Sequence, residues 1–349
     1  MCIRDSMEYN KLPGTNIKVS KICLGTMTWG VQNSKEEAFD QMDYSLDNGI
    51  NFFDTAELYP VPASAETYAT TEKFIGEWLV TRKSRDKIIL ASKIAGPGDY
   101  TSHIRKTGFK GNSIDTALEN SLKRLKTDYI DLYQLHWPER LTNYFAVRNF
   151  KYFNDSWEDN FQEILYKLKK AVDAGKIRYV GLSNENPWGI MKFLEYSKIG
   201  LPKMITIQNP YSLLNRLFEI GSGEICKREN VGLLAYSPLG FGFLTGKYRN
   251  DNIPKNSRLD LFPNMSRYNN ENCKNAIELY NNIAEENNLT LTQLALAFVN
   301  DRPFVTSNII GATTMEQLKE NIDSINTKLS RETLDEIDKA QEKIPNPAP

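Results

Sequence analysis

Eight short apolar runs punctuate the chain, and a segment of helical periodicity follows each of them. The runs are Lys21–Gly25, Ile50–Phe53, Ile88–Ser92, Ile130–Leu135, Arg178–Leu182, Met204–Ile207, Val231–Tyr236 and Asn308–Ile310. Near-continuous apolar runs are what a strand buried on both faces requires, as in a parallel sheet. Strictly alternating strands and helices restrict the topology to right-handed crossovers. Eight such units, with no linker, repeat or low-complexity stretch, favour a closed (β/α)8 TIM barrel over an open doubly wound sheet. The length of 349 residues suits that barrel with insertions.

Additions flank the repeat. Tyr9 to Ser20 brackets the turn-rich Pro13-Gly14-Thr15-Asn16 and predicts an N-terminal β-hairpin. Helical patterns over Met315–Ile325 and Arg331–Gln341 predict extra C-terminal helices. Residues 7–349 therefore read as a single barrel domain. Met1 to Ser6 looks foreign to the rest of the chain and reads as a non-native leader, with Met7 as the start. Pro345–Pro349 predicts a loose, extended tail. Ser34 with Glu37 forms a capping-box pattern, and Asn48-Gly49 ends that helix. Ser113 is placed as the cap of a third helix, and Phe218–Lys227 as one continuous helix. Three long connections, Gly96–Asn112, Pro138 to about Asn160, and Leu239 to about Asn269, follow strands and fall on one face.

Composition narrows the function. A net charge of −1 gives no basic field for nucleic acid or an acidic membrane surface. Two histidines, His103 and His136, cannot build a multi-His metal site, so no metal is expected. Four scattered cysteines suit a reducing, cytoplasmic setting. The expected partner is a small molecule, with oligomeric state unspecified.

The chemistry lies where the strands end. The second run ends on Asp54, with Tyr59 five residues on; the third ends on Lys93 and the fourth on His136. A phenol has a pKa near 10, and lowering it by about three units needs about 4 kcal/mol. One ammonium about 4 Å away supplies an energy of that order. Lys93 fits that task, Asp54 fits the holding of Lys93, and His136 can hydrogen-bond a reacting oxygen. Singly, each residue has an ordinary structural explanation as a turn, rim or solvated group. Jointly, they suit protonation of a carbonyl oxygen while a hydride arrives at its carbon. Gly240-Phe241-Gly242-Phe243-Leu244-Thr245-Gly246 is a weak match to a dinucleotide fingerprint, its last Gly being one residue late. It suits a phosphate-facing loop with Lys247, or a plain flexible turn. Ser183-Asn184 and Gln208-Asn209 suit a carboxamide, or simple caps.

Several stretches together resemble the aldo-keto reductase family, most closely its Tas-type bacterial branch. They include Leu24-Gly25-Thr26-Met27-Thr28, Phe53-Asp54-Thr55-Ala56-Glu57-Leu58-Tyr59, Ala91-Ser92-Lys93, Gln134-Leu135-His136-Trp137-Pro138, Gly181-Leu182-Ser183-Asn184, Gln208-Asn209-Pro210-Tyr211 and Gly242-Phe243-Leu244-Thr245-Gly246-Lys247-Tyr248. The resemblance implies an NADP(H)-dependent oxidoreductase that reduces aldehydes or ketones. It implies Tyr59 as proton donor, Asp54 and Lys93 as its tuning pair, and His136 as the carbonyl-orienting residue. It implies a cofactor site with Gly25, Thr26, Met27 and Asp54 at its floor, and Ser183, Asn184, Gln208 and Tyr236 at the nicotinamide. Ser237, Pro238, Leu239, Gly240, Phe241, Gly242, Lys247 and Arg258 would line the pyrophosphate side. Gly311, Thr313, Gln317, Glu320 and Asn321 would close the adenosine end. Gly311 and Gln317 stand where many members carry Lys and Arg; the similar potassium-channel β-subunit branch still implies NADPH/NADP+ in preference to NADH.

Two other readings compete. One is a non-catalytic NADPH-binding regulatory module, similar to the channel β-subunits; the other is a Schiff-base aldolase using Lys93. For substrate, Trp29 and Trp137 are the wall candidates. The aromatics of the Pro138–Asn160 connection (Tyr144, Phe145, Phe150, Tyr152, Phe153 and Trp157) either join that wall or pack on one another.

Overall fold

The computed structural model describes residues 7–145, 147–264 and 267–349; the leader reading of Met1–Ser6 lies outside them. Two antiparallel strands, β1 (Tyr9–Lys11) and β2 (Lys18–Ser20), form the hairpin. Eight parallel strands come after it: β3 (Ile22–Gly25), β4 (Phe52–Asp54), β5 (Ile89–Ile94), β6 (Ile130–Leu135), β7 (Ile177–Ser183), β8 (Met204–Pro210), β9 (Gly232–Tyr236) and β10 (Val305–Ile310). They close in the order β10-β3-β4-β5-β6-β7-β8-β9, a (β/α)8 barrel.

The outer ring is α1 (Lys35–Asp47), α2 (Thr70–Arg82), α3 (Ser113–Leu125), α4 (Phe161–Asp173) and α5 (Pro187–Ser197), then the short α6 (Leu217–Gly221), α7 (Gly223–Glu229) and α8 (Arg258–Leu261). α9 (Glu271–Glu286), α10 (Leu291–Asp301), α11 (Met315–Asp323) and α12 (Arg331–Lys343) complete it. None of the described helices is long and apolar enough to cross a membrane.

The barrel interior explains why only one end can carry a site. Cys23, Phe52, Ala91, Leu132, Ile205, Leu234 and Ile309 pack with Leu12 and Val19 of the hairpin in one buried cluster. The hairpin thus plugs the end where the strands begin, and cavities are left to the end where they finish.

Local chemistry sets the helix limits. Ser34 and Glu37 exchange both bonds of the capping box. Ser113 is not a cap: Asn112 holds that position without a side-chain bond, and the Ser113 hydroxyl pairs with that of Thr107 at 2.8 Å. The expected single helix over Phe218–Lys227 is two, broken at Ser222, which has a poor helix former, Gly221 or Gly223, on either side. α9 starts earlier than its apolar pattern does, because the Asn270 side chain accepts from the Cys273 amide.

The tail is not loose. The Ala348 amide donates to the Leu214 carbonyl at 3.1 Å, and Asn346 Oδ1 accepts from the Arg216 amide at 2.7 Å. Arg148 adds a bond to the Pro347 carbonyl at 2.7 Å. Ala348 is buried.

Gly76 is where α2 meets α3. A Cβ there would lie 2.1 Å from the Arg124 carbonyl oxygen, so only glycine allows this approach. Gly76→Ala gains helix propensity of about 1 kcal/mol but forces the helices apart. We expect a net loss of about 1–3 kcal/mol, read as a lower urea midpoint at unchanged m-value.

Candidate active site

Register carries four polar side chains to the open end of the barrel. Asp54 is the last residue of β4, Lys93 the next-to-last of β5, and His136 follows β6 directly. Lys93 Nζ donates to Asp54 Oδ2 at 2.5 Å, to the Thr55 carbonyl at 2.9 Å and to the Tyr59 hydroxyl at 3.3 Å. Asp54 Oδ1 in turn accepts from Gln208 Nε2 at 2.8 Å and Gln134 Nε2 at 3.2 Å. The carboxylate is therefore saturated on both oxygens, which is what a buried charge needs. His136 meets Tyr59 edge-on, ring centroids 5.7 Å apart, and its Nδ1 is buried without a partner.

The electrostatics differ from the sequence arithmetic. Burial pushes the Tyr59 phenol above its ordinary value; Lys93 opposes this, but Asp54 adds to the rise. The phenol facing the cavity is thus held protonated. Burial alone would pull the Lys93 ammonium down, yet Asp54 and Tyr59 bring it out above its ordinary value. His136 is held well below the usual imidazole value, first by burial and then by Lys93. Its ring is neutral at physiological pH.

Asp54, Tyr59 and His136 face a cavity of about 1200 Å³ at the strand ends. Every cofactor-side residue named from the sequence lines it except Gly240, which lies under Tyr268 and Leu214 with a positive φ of 52°. Lys93 lies behind Tyr59 rather than on the wall. Near His136, Tyr236 donates to Asn184 Oδ1 at 2.6 Å, and Asn184 Nδ2 donates to the His136 carbonyl at 2.9 Å. Ser183 donates to the Gln208 carbonyl at 2.9 Å. Ser237, Gly240, Phe241 and Gly242 all have positive φ, so the backbone after β9 folds back repeatedly at the rim.

The donor set at the far end suits an anion. Lys247, Lys255 and Arg258 line the cavity, and among the described residues none has a carboxylate within salt-bridge distance. Burial lowers the Arg258 guanidinium from its ordinary value, the mark of a cation short of a counter-charge. The Gly311–Asn321 segment supplies no cation to the wall. Gln317 Oε1 is occupied by the Thr313 amide at 3.0 Å, and Glu320 accepts from Thr290 at 3.0 Å. A phosphate-bearing dinucleotide thus fits the cations of the connection after β9 better than the segment after β10.

The substrate side corrects one expectation. Trp29 does not line the cavity: it is fully buried, and its Nε1 donates to Gln41 Oε1 of α1 at 3.0 Å. Trp137 does line it, between His136 at 4.9 Å, Tyr100 at 5.5 Å and Phe145 at 5.9 Å. Of the aromatics after β6, Phe145 faces this cavity, Phe150 packs on Tyr152 and Phe153, and Trp157 packs on Phe161. Tyr100, Lys255 and Arg267 also line the cavity and are not among the residues expected from sequence. They lie on irregular connections, where no periodicity or motif points to them.

Comparison with known proteins agrees with this architecture. A family model described as the aldo/keto reductase family matches residues 21–342. The chain is 46% identical over 346 residues to Protein tas of Escherichia coli (strain K12), covering 98% of this chain and 100% of that one. It is 35% identical over 336 residues to an uncharacterized oxidoreductase, YrpG, of Bacillus subtilis (strain 168), covering 94% of each. It is 28% identical over 341 residues to norsolorinic acid reductase A of Aspergillus parasiticus, covering 94% of this chain and 79% of that one.

Proposed function

The chain belongs to the aldo/keto reductase family, and from that premise we propose that it is an NADPH-dependent reductase of aldehydes or ketones with Tyr59 as general acid. The observation that carries the reading is the buried Lys93 ammonium shared between Asp54, at 2.5 Å, and the Tyr59 hydroxyl, at 3.3 Å, behind a cavity wall that Tyr59 forms beside a neutral His136.

When bound, NADPH supplies a hydride to the carbonyl carbon. Ser183, Asn184, Gln208 and Tyr236 hold its nicotinamide end, and Lys247 and Arg258 its phosphates. The neutral His136 imidazole donates a hydrogen bond to the carbonyl oxygen and orients it. Tyr59 gives its phenolic proton to the same oxygen as the oxygen gains charge. Lys93 steadies the phenolate left behind, and Asp54 keeps Lys93 charged and in place. Gln134 and Gln208 fix Asp54. Water returns a proton to Tyr59 after product leaves. The setting is cytoplasmic, in keeping with three described cysteines that are all buried and unpaired.

The aldolase reading is disfavoured, because Lys93 is fully buried and its ammonium protons go to Asp54, Thr55 and Tyr59. It has no lone pair to offer a carbonyl. Fluorescence titration with NADPH and NADH, then single-turnover oxidation with 4-nitrobenzaldehyde, tests the rest. We expect NADPH to bind about ten- to a hundredfold more tightly than NADH, the scale of one charge-assisted contact, and to be oxidised. Binding without turnover would support the regulatory module. Failure to bind either nucleotide would overturn the cofactor assignment.

A further inference from the structure

We infer that Arg267 is a substrate anchor, and that the substrates of this site are aromatic aldehydes or ketones that also carry a carboxylate. The inference deepens the reductase reading and rests on it for the identity of the reacting end.

A continuous aromatic surface runs away from the acid. Tyr59 meets His136 at 5.7 Å, His136 meets Trp137 at 4.9 Å, and Trp137 meets Phe145 at 5.9 Å. Tyr100 flanks Trp137 at 5.5 Å. At the end of this run the Arg267 guanidinium lies 5.9 Å from the Phe145 ring and 5.8 Å from that of Phe241. Flat aromatic walls favour a flat apolar ligand body. A guanidinium at the far edge favours a carboxylate, which its planar fork meets with two parallel hydrogen bonds.

Arg267 is short of such a partner. Four other arginines that are partly or fully buried hold one: Arg85 with Asp131, Arg105 with Glu57, Arg124 with Glu72 and Arg140 with Glu185; among the described residues Arg258, at the cofactor end, does not. Around Arg267, among the described residues, stand the rings and hydroxyls of Tyr236 and Tyr268, and no Asp or Glu lies within salt-bridge distance. A half-buried cation flanked by rings, with no carboxylate beside it among the described residues, gains from an incoming anion. Lys247, Lys255 and Arg258 serve the cofactor end; Arg258 and Arg267 both flank Phe241, at 5.1 and 5.8 Å, and of the two it is Arg267 that also meets Phe145 of the aromatic wall.

The test compares benzoate with its neutral isostere benzamide by calorimetric titration, with and without NADP+. It then compares 4-carboxybenzaldehyde with 4-nitrobenzaldehyde in steady-state turnover. Wild type is expected to prefer benzoate by about ten- to a hundredfold, the scale of one partly buried charge-assisted contact. Arg267→Met should collapse that ratio, and Arg267→Lys, which keeps charge but loses the fork, should restore part of it. The same ratio should appear in KM between the two aldehydes. Equal affinity of wild type for benzoate and benzamide overturns the inference. So does a ratio that survives in both variants, or a loss of NADP+ affinity in Arg267→Met with the ratio intact, which would give Arg267 to the cofactor. If the benzoate preference depends on Arg267 while neither aldehyde is reduced, the anchor stands and the reductase reading fails.

Discussion

Tyr59→Phe is expected to lower single-turnover reduction of 4-nitrobenzaldehyde by about a hundred- to ten-thousandfold, the range of a lost general acid, while NADPH still binds. Phenylalanine keeps the ring, so the edge contact with His136 and the face toward Lys93, 4.7 Å from the ring centroid, survive. What goes is the hydroxyl that accepts from Lys93 at 3.3 Å. Losing that bond, made by a charged ammonium, costs about 1.5–3 kcal/mol of stability, too little to explain a rate loss of this size by unfolding of a protein with ordinary stability of about 5–15 kcal/mol. The pH profile adds an independent check. Burial raises the Tyr59 pKa, so the proton-donating form persists through neutrality. The reduction rate should fall only as pH rises past the ordinary phenol range, and that alkaline limb should vanish in Tyr59→Phe. A variant that reduces the aldehyde at near wild-type rate would remove Tyr59 from the chemistry.

The direction of that pKa shows where reading the sequence stops. The strand-end positions of Asp54, Lys93 and His136 were legible because each closes a buried apolar run. Their common face followed from parallel strands. The sequence arithmetic then paired Lys93 with Tyr59 as one charge acting on one phenol. In the fold, Lys93 is bound to Asp54, so Tyr59 meets a compensated pair inside a buried wall, and burial prevails. Burial of a particular hydroxyl is a long-range property and leaves no local pattern. Trp29 and Trp137 make the same point. Both sit near strand ends, yet Trp29 turns to Gln41 on α1 and Trp137 to the cavity. The capping box at Ser34 was legible because it is closed within four residues. The docked tail was not, because Ala348 bonds to Leu214, far away in the chain.

Asp54→Asn is the most damaging polar change we expect for the fold, at about 3–5 kcal/mol. Asn keeps the shape, and its Oδ1 can still accept from Gln134 and Gln208. Its amide NH2, however, then meets the Lys93 ammonium where Oδ2 now accepts at 2.5 Å. Two donors face each other, and Lys93, with no exposed surface, loses its counter-charge. The pH dependence should change sign. In the wild type the folded Lys93 pKa is raised. Its contribution to stability is therefore fully present below the unfolded value of about 10.4 and is lost as pH rises through the folded value. In Asp54→Asn, Tyr59 is left alone against burial, the largest influence on Lys93, and the folded pKa is expected to drop below the unfolded one. The unfolded chain then binds the extra proton, so the variant should lose stability as pH falls from about 10 toward neutrality. Urea unfolding at pH 7, 8.5 and 10 should show the gap between the two proteins widest at pH 7 and narrowest at pH 10. A gap that stays constant across that range would mean that the Asp54 charge is not what keeps Lys93 ionised.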